Sequence, residues 1–231
     1  MERIEKIERF IKQLLKGILV YLLFENSVYF QYIIVYLFKL DIATLTESMR
    51  VLLSLFSNCC ILLVLFLIYR KELLKEWTIF RNNIKDNIDI GFNYWVIGLI
   101  GMFVSNCILM YVFKTGQAAN EQRVQSLIAA LPFVMLINAG IIGPIIEEIV
   151  FRKSIKNIFN NKYVFIVVSG LIFGLVHVIG SATVWTDWLY VIPYACLGFS
   201  FAAAYSKTDT IYTPIACHMF HNLILTIVSI I

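Results

Sequence analysis

The sequence is short of charge and lacks the features that divide a chain into separate domains. Only 15% of its 231 residues are charged, and it contains no Pro/Ser/Gly-rich linker, low-complexity segment or internal repeat. Hydrophobic residues make up 60%, and the mean hydropathy is +0.82, which is more apolar than a soluble domain requires. These features exclude a soluble multidomain protein. They predict an all-α, polytopic membrane bundle that forms one domain over residues 1–231.

The cysteines provide neither a disulfide framework nor a metal site. Five are present, all in apolar runs, and no two have the C-x-x-C spacing of a metal site. Because their number is odd and their surroundings are apolar, we expect small buried hydrophobic residues.

The first 16 residues alternate positive and negative charges, with apolar residues at every third or fourth position. This pattern predicts an amphipathic helix on the membrane surface. The charged segment is long, and no small-residue cleavage site follows it, so we do not expect a cleavable signal peptide.

Apolar runs of bilayer length predict about seven spans, with six or eight as alternatives. Their bounds are 17–39, 51–69, 93–113, 127–151, 163–180, 186–205 and 211–231. In the first span, Glu25, Asn26 and Ser27 either face the bundle interior or break the helix, and we favour the interior-facing arrangement. In the fourth span, Pro144 predicts a kink.

The basic residues between these spans alternate in number and so predict an orientation. With a cytoplasmic N-terminus, 15 of the 19 Lys and Arg residues lie on the cytoplasmic side and 4 lie outside. This bias is expected of a multi-pass protein of the cell membrane whose C-terminus lies outside. The net charge of +4 therefore reflects membrane topology, and we expect no nucleic-acid partner.

Two adjacent carboxylates, Glu147 and Glu148, follow an uncharged run over 127–146. A charged side chain within lipid costs about 2.5–3.5 kcal/mol, so such a pair indicates function unless it only caps a helix at the headgroups. On a helix Glu148 and Arg152 share a face, which predicts an ion pair. Glu147 points about 100° away and has no local partner. It is the candidate general base.

A second polar pattern lies in the fifth predicted span. Gly170, Phe173, Gly174 and His177 share one helical face. The glycines allow another helix to approach closely, and Phe173 can pack against the imidazole one turn later. His177 is either functional or a hydrogen-bonded core residue, and the sequence favours neither.

A third pattern lies in the last predicted span, where His218 and Asn222 are four residues apart. Two hydrogen-bonding groups on one face of an apolar helix can stabilise an oxyanion, or they can act only as polar contacts between helices. We interpret the pair as functional and His221 as a polar helix contact.

These patterns together resemble a known family. E-E-x-x-x-R at 147–152, F-x-x-x-H at 173–177 and H-x-x-x-N at 218–222 occur in this order on successive helices. They resemble the CAAX-protease and bacteriocin-processing (CPBP, or Abi) family of intramembrane endopeptidases over roughly 143–222. The resemblance implies that Glu147 and His177 activate a water that attacks a peptide carbonyl, and that His218 and Asn222 stabilise the oxyanion. Glu148, Arg152 and Phe173 would support the site.

The resemblance implies a membrane-associated peptide or protein as substrate and a mechanism without a metal. Glu147, His177 and His218 also form a carboxylate-plus-two-imidazole set that could bind Zn²⁺. A non-catalytic self-immunity or peptide-binding protein is a further alternative. A transporter or proton relay that uses Glu25 is disfavoured, because no inverted repeat is visible.

The predicted spans place the candidate residues at different depths. Glu147 lies about 6–8 Å from the cytoplasmic face and His177 roughly 20 Å from it, at 1.5 Å per helical residue. We therefore predict that the fourth span continues past Arg152 into 153–157 and that the fifth begins below the membrane surface. The side chains would then surround a water-filled conical cavity open to the cytoplasm.

Overall fold

The computed structural model describes residues 2–231, with side chains from Ile4 onward. Within this part the chain forms helices and no strand. Nine helices make up the bundle: α1 (Glu2–Glu25), α2 (Gln31–Leu37), α3 (Glu47–Asn82), α4 (Ile84–Val112), α5 (Ala119–Ala130), α6 (Pro132–Ile158), α7 (Lys162–Val176), α8 (Val191–Thr208) and α9 (Tyr212–Ile230). The predicted all-α fold is confirmed.

Five helices of the described chain, α3, α4, α6, α8 and α9, are long and apolar enough to cross a membrane. A sixth crossing results if α1 and the segment Ser27–Leu37, which meet at a 52° bend, form one span. Helix α7 is apolar but only 15 residues long. The predicted seven spans are reached only when both the bent pair and α7 are counted.

The first predicted span is broken, because α1 and the segment Ser27–Leu37 meet at a 52° bend. Helix α1 continues without interruption from the amphipathic segment to Glu25. The side chain of Asn26 then donates to the carbonyl of Leu22 at 2.8 Å, and this bond competes with continuation of the backbone ladder. Glu25 and Ser27 line the central cavity all the same, so the two alternatives hold together.

The basic stretch 70–85, which the span bounds leave as a loop, is helical. Helix α3 ends at Asn82 and α4 begins at Ile84. Tyr69, Leu73, Glu76 and Phe80 are all buried and recur every three or four residues, so one face of this helix packs on the bundle. Charge alone indicated a loop here, but tertiary packing keeps the segment helical.

Helix α6, which carries both candidate glutamates, begins at Pro132 and not at 127. Leu131 has φ −148° and ψ 78°, as expected for a residue that precedes proline. The helix runs to Ile158, which confirms that it continues past Arg152. Two widened π-helical turns, Asn138–Ile142 and Ile149–Lys153, flank the segment Gly143–Glu148. The first lies directly before Pro144, where it accommodates a ring that would crowd an α-helical turn.

Helices α7 and α8 approach each other through the predicted glycines. A methyl group at Gly170 would lie 2.8 Å from the backbone nitrogen of Phe199, and one at Gly174 would lie 2.6 Å from the carbonyl oxygen of Val191. The predicted close approach is therefore confirmed. It fixes the position of His177, which caps the C-terminal end of α7.

One end of the bundle is held by a group of polar side chains that we term the anchor cluster. Its members come from α1, α3, α6 and α8: Lys16, Glu72, Glu76, Lys153, Asn157 and Tyr205. Lys153 Nζ lies 2.5 Å from Glu76 Oε1 and 2.9 Å from Glu72 Oε2. The contacts of Lys16, Glu72 and Lys153 join three segments that the loop charges place on the same side of the membrane.

Candidate active site

The carboxylate of Glu148 is fully buried and is held by two partners. Arg152 Nε lies 3.2 Å from Oε2, which confirms the predicted ion pair. His218 Nδ1 lies 2.9 Å from Oε1, a contact that the sequence did not predict. The guanidinium of Arg152 lies over the ring of Phe173, 4.0 Å from its centroid, where a cation–π interaction offsets part of the cost of burial. Glu148 thus orients a histidine as well as pairing with the arginine.

Glu147 lines the central cavity and, as predicted, has no local partner. Its Oε2 is buried and accepts no hydrogen bond from the described residues. This atom lies 3.9 Å from His177 Nε2 and 3.8 Å from His218 Nε2. Both distances exceed that of a direct hydrogen bond. The three atoms therefore face a common space.

His177 is clamped between two aromatic rings. Phe173 lies 4.4 Å from it, centroid to centroid, and Tyr194 stacks on it at 4.7 Å. Nδ1 lies 2.8 Å from the carbonyl oxygen of Phe173, so this nitrogen carries the hydrogen and donates it. In the neutral ring, Nε2 then presents its lone pair toward Glu147. The Phe173 contact was predicted, whereas nothing in the apolar sequence of α8 singles out Tyr194.

His218 lies between the two carboxylates and is 4% exposed. Because Nδ1 donates to Glu148, Nε2 is the atom that faces Glu147. The ring of Phe201 stacks on the imidazole with 5.1 Å between centroids. Hydrogen bond and stacking together leave the ring one orientation, as is usual for a histidine that acts in chemistry.

The remaining polar groups of α9 also reach this region. Asn222 lines the cavity, but its amide donates to the carbonyl of Ala139 at 3.0 Å and so keeps one free N–H. His221 is buried, and its Nδ1 lies 3.3 Å from the indole nitrogen of Trp95.

The four predicted catalytic residues line one cavity of about 630 Å³, as shown by the lining side chains Glu147, His177, His218 and Asn222. The cavity extends to Asn120 and Arg123 on α5, away from the anchor cluster. The loop charges place α5 and the anchor cluster on opposite sides of the membrane. The predicted cytoplasmic opening and the predicted orientation therefore point to different sides of the membrane, and both stay predictions.

The donor set does not match a zinc site as it is arranged. A tetrahedral Zn²⁺ with bonds of about 2.0–2.1 Å holds its ligands about 3.3–3.4 Å apart. The separations from Glu147 Oε2 to the two imidazoles are 3.9 and 3.8 Å. Over residues 2–231, no three His, Cys, Asp or Glu side chains are grouped to hold a metal ion. The zinc alternative stays a prediction that a chelator can test.

Comparison with known proteins points to one family. Residues 129–224 match the family described as Type II CAAX prenyl endopeptidase Rce1-like. The chain is 34% identical over 188 residues to YdiL of Bacillus subtilis, named as a membrane peptidase, which covers 77% of this chain and 71% of YdiL. It is 26% identical to YxdF of Lactococcus lactis, over 71% of this chain and 88% of YxdF.

A further relative is MroQ of Staphylococcus aureus, named as a membrane-embedded CAAX protease. It is 32% identical over 133 residues, which cover 54% of this chain and 51% of MroQ. No solved structure matches the chain. The family match spans all seven predicted site residues, and the relatives that are named as enzymes are membrane proteases. The chain belongs to the CAAX prenyl protease and bacteriocin-processing family of intramembrane endopeptidases.

Proposed function

We propose that this protein is a glutamate-type endopeptidase that hydrolyses a peptide bond of a membrane-associated peptide or protein. The observation that supports this most strongly is the arrangement around Glu147. Its unpartnered Oε2 is faced by the Nε2 atoms of His177 and His218 at 3.9 and 3.8 Å, inside a cavity large enough for a peptide segment. The names of YdiL and MroQ, a peptidase and a protease, support the same class of reaction.

The first step is the attack of water on the scissile carbonyl. Glu147 takes one proton from the water, while the lone pair on His177 Nε2 accepts the hydrogen bond of the second. The water oxygen forms a bond to the carbonyl carbon, and the electron pair of the C=O bond moves to oxygen. Phe173 and Tyr194 keep the imidazole of His177 in line for this role.

The second step is collapse of the tetrahedral intermediate. His218 is an imidazolium before the substrate binds, and the carboxylate of Glu148 stabilises this charge through Nδ1; its Nε2–H donates to the oxyanion throughout the step. The free N–H of Asn222 is a second donor. The electron pair then returns from oxygen, the C–N bond breaks, and Glu147 passes its proton to the leaving nitrogen. The products are an amine and a carboxylic acid, which then loses its proton to the amine or to solvent.

The orientation of the bundle determines which face of the membrane supplies the substrate. The ratio of 15 basic residues to 4 supports a cytoplasmic N-terminus, so that the cavity beside α5 would open outward. Labelling of single cysteines placed at Lys75 and Lys114 in intact cells tests this. If Lys75 is labelled from outside and Lys114 is protected, the orientation is reversed and the cavity opens to the cytoplasm.

Catalysis is tested with purified protein and a library of lipid-anchored fluorogenic peptides. We expect Glu147→Gln to lower the cleavage rate roughly 10²–10⁴-fold, the usual contribution of a general base. Glu121→Gln is the matched control, because Glu121 lines the same cavity and takes no part in the mechanism. Each protein is assayed with and without 1,10-phenanthroline.

Three outcomes would contradict parts of this proposal. Cleavage by Glu147→Gln at the wild-type rate removes the glutamate mechanism. Loss of wild-type activity with the chelator supports the zinc alternative. If wild type cleaves no peptide and Glu147→Gln still protects cells that express a cognate peptide toxin, the protein is a non-catalytic immunity or peptide-binding protein.

A further inference from the structure

His221 uses its ring nitrogens in the opposite sense to the other two histidines. In His177 and His218, Nδ1 carries hydrogen and donates to Phe173 and Glu148, respectively. In His221, Nδ1 lies 3.3 Å from the indole nitrogen of Trp95, and an indole N–H can only donate. Nδ1 of His221 is therefore the acceptor. The hydrogen of this ring must be on Nε2.

The Nε2 atom of His221 has no hydrogen-bond partner among the described residues, and His221 lines the cavity. His221 lines the same cavity as Glu147 and His218, and it follows His218 by three residues, so the two side chains are neighbours on α9. Among the described residues nothing accepts a hydrogen bond from this Nε2, and the atom is not sealed inside the protein. The edge-on contact with Trp95, at 6.4 Å between ring centroids, holds the ring in place.

Among the catalytic residues predicted from the sequence, hydrogen-bond donors are few, although an oxyanion requires them. The ring of His177 presents a lone pair there, because its N–H is used elsewhere, and His218 offers an N–H from Nε2 only as the imidazolium. Asn222 has already given one N–H to Ala139. His221, by contrast, carries an N–H on Nε2 while its ring is neutral. It can therefore donate to an oxyanion without a change of charge.

We infer that His221 is a further catalytic residue, whose Nε2–H donates to the scissile carbonyl oxygen as its negative charge develops. Trp95 is then a positioning residue, because its indole fixes the tautomer of His221. This inference rests on the proposed function and adds no bond-making step to it. The hydrogen bond is stronger to the oxyanion than to the carbonyl, and this difference accelerates the reaction. It adds to the interpretation of His221 as a polar contact between helices, which the hydrogen bond from Trp95 confirms.

The kinetic test uses the library peptide that the wild type cleaves fastest. His221→Phe should lower kcat about 10²–10³-fold, the usual effect of removing one oxyanion donor, with little change in KM. His221→Gln keeps an N–H donor and should recover part of the loss. Trp95→Phe keeps a ring in place but frees the tautomer, and it should lower kcat at most about tenfold. Phe220→Leu is the packing control, because Phe220 contacts Trp95 edge-on without a hydrogen bond, and its kcat should be unchanged.

A measurement that needs no activity accompanies the kinetics. The sequence contains three histidines, so ¹⁵N-histidine labelling gives a spectrum that single substitutions assign. In the Glu147→Gln background we expect His221 as the Nε2–H tautomer, with an unprotonated Nδ1 that shifts in Trp95→Phe. A hydrogen on Nδ1 of His221 would overturn the inference, even if His221→Phe fails to fold.

The failure of this inference differs from the failure of the proposed function. Wild-type kcat in His221→Phe, together with an inactive Glu147→Gln, removes the role of His221 and leaves the proposed mechanism intact. A raised KM without rescue by His221→Gln indicates a structural contact and equally overturns the inference. Full activity in Glu147→Gln instead removes the mechanism on which the inference depends.

Discussion

Two pairs of glutamates contact other helices of this bundle, and their carboxylates differ in how many hydrogen bonds they accept. In the anchor cluster, Glu76 Oε1 accepts from Lys153 and Tyr205, and Oε2 accepts from the backbone nitrogen of Ile211. At the candidate active site, Glu147 Oε2 accepts nothing from the described residues, although two imidazoles lie within 4 Å. Glu76 is buried with all of these partners, whereas Glu147 has a buried Oε2 that is left without one.

The contrast separates a structural acid from a chemical one. A buried carboxylate whose lone pairs are all used contributes to the fold and has no capacity left to take a proton. One that is held in place with an unused oxygen is available for proton transfer. Glu148 is intermediate, because it fixes both Arg152 and His218 and so supports the chemistry without carrying it out. This comparison can be tested by substituting a glutamate at each site and measuring both the cleavage rate and the stability of the protein.

The largest expected effect is on activity without a loss of stability. Glu147→Gln should remove peptide cleavage almost completely, as proposed above, while the Tm in detergent stays equal or rises. The reason is that a neutral amide replaces a partly buried carboxylate whose Oε2 accepts no hydrogen bond. A clearly lower unfolding temperature for the variant than for wild type would contradict this distinction, since Glu147 would then stabilise the fold.

The converse effect is expected at Glu76, where stability should fall. Glu76→Gln leaves the buried Lys153 with only Glu72, and removing one partner of a buried pair costs up to about 3 kcal/mol in free energy of unfolding. Glu72→Gln is the matched control. The Glu72 side chain is 38% exposed, so its loss should cost at most about 1 kcal/mol.

A second substitution sharpens this result. Replacing both partners, as Glu76→Gln with Lys153→Met, should recover much of the stability, because no unpaired charge is then left inside the bundle. Thermal unfolding in detergent measures each variant. Equal losses in the single and double variants would show that the stabilisation comes from packing and not from the pairing of charges.

A smaller effect is expected where the fold positions the site. Gly170→Ala places a methyl group 2.8 Å from the backbone nitrogen of Phe199, so α7 must move away from α8 at a cost of about 1–3 kcal/mol. Because His177 follows α7, the cleavage rate should fall more than stability alone explains. Gly116→Ala is the control, since a methyl group there meets nothing within 4 Å. Equal activity in the two variants would show that helix spacing does not set the position of His177.

Local geometry explains what the sequence could predict. The division of labour between Glu147 and Glu148 follows from a rotation of 100° per residue, and the Glu148–Arg152 pair follows from a spacing of four. Both are properties of one helix. The close approach at Gly170 and Gly174 was likewise predicted from the spacing of two residues on one helix, although the partner helix was not identified.

Contacts between distant segments explain what the sequence missed. His218 and Glu148 are 70 residues apart, and Lys153 and Glu76 are 77 apart. Their pairing depends on how the helices pack, which no periodicity encodes. The same holds for the basic stretch 70–85. Its charge indicated a loop, whereas in the structure Glu76 of this stretch has buried partners on other helices. The role inferred for His221 is also a tertiary property. It depends on which N–H groups of the other catalytic residues already donate hydrogen bonds elsewhere in the bundle.

The smallest expected effect concerns Tyr194, whose ring stacks on His177 at 4.7 Å. An aromatic pair contributes about 0.5–1.5 kcal/mol beyond its buried area. Tyr194→Leu should therefore lower kcat up to about tenfold by loosening the imidazole, whereas Tyr194→Phe keeps the ring and should stay within about threefold of wild type. If both variants lose activity equally, the hydroxyl of Tyr194 is the group that matters. The hydroxyl would then be one of the hydrogen-bond donors of the cavity. The groups that are available for chemistry would include this phenol as well as Glu147.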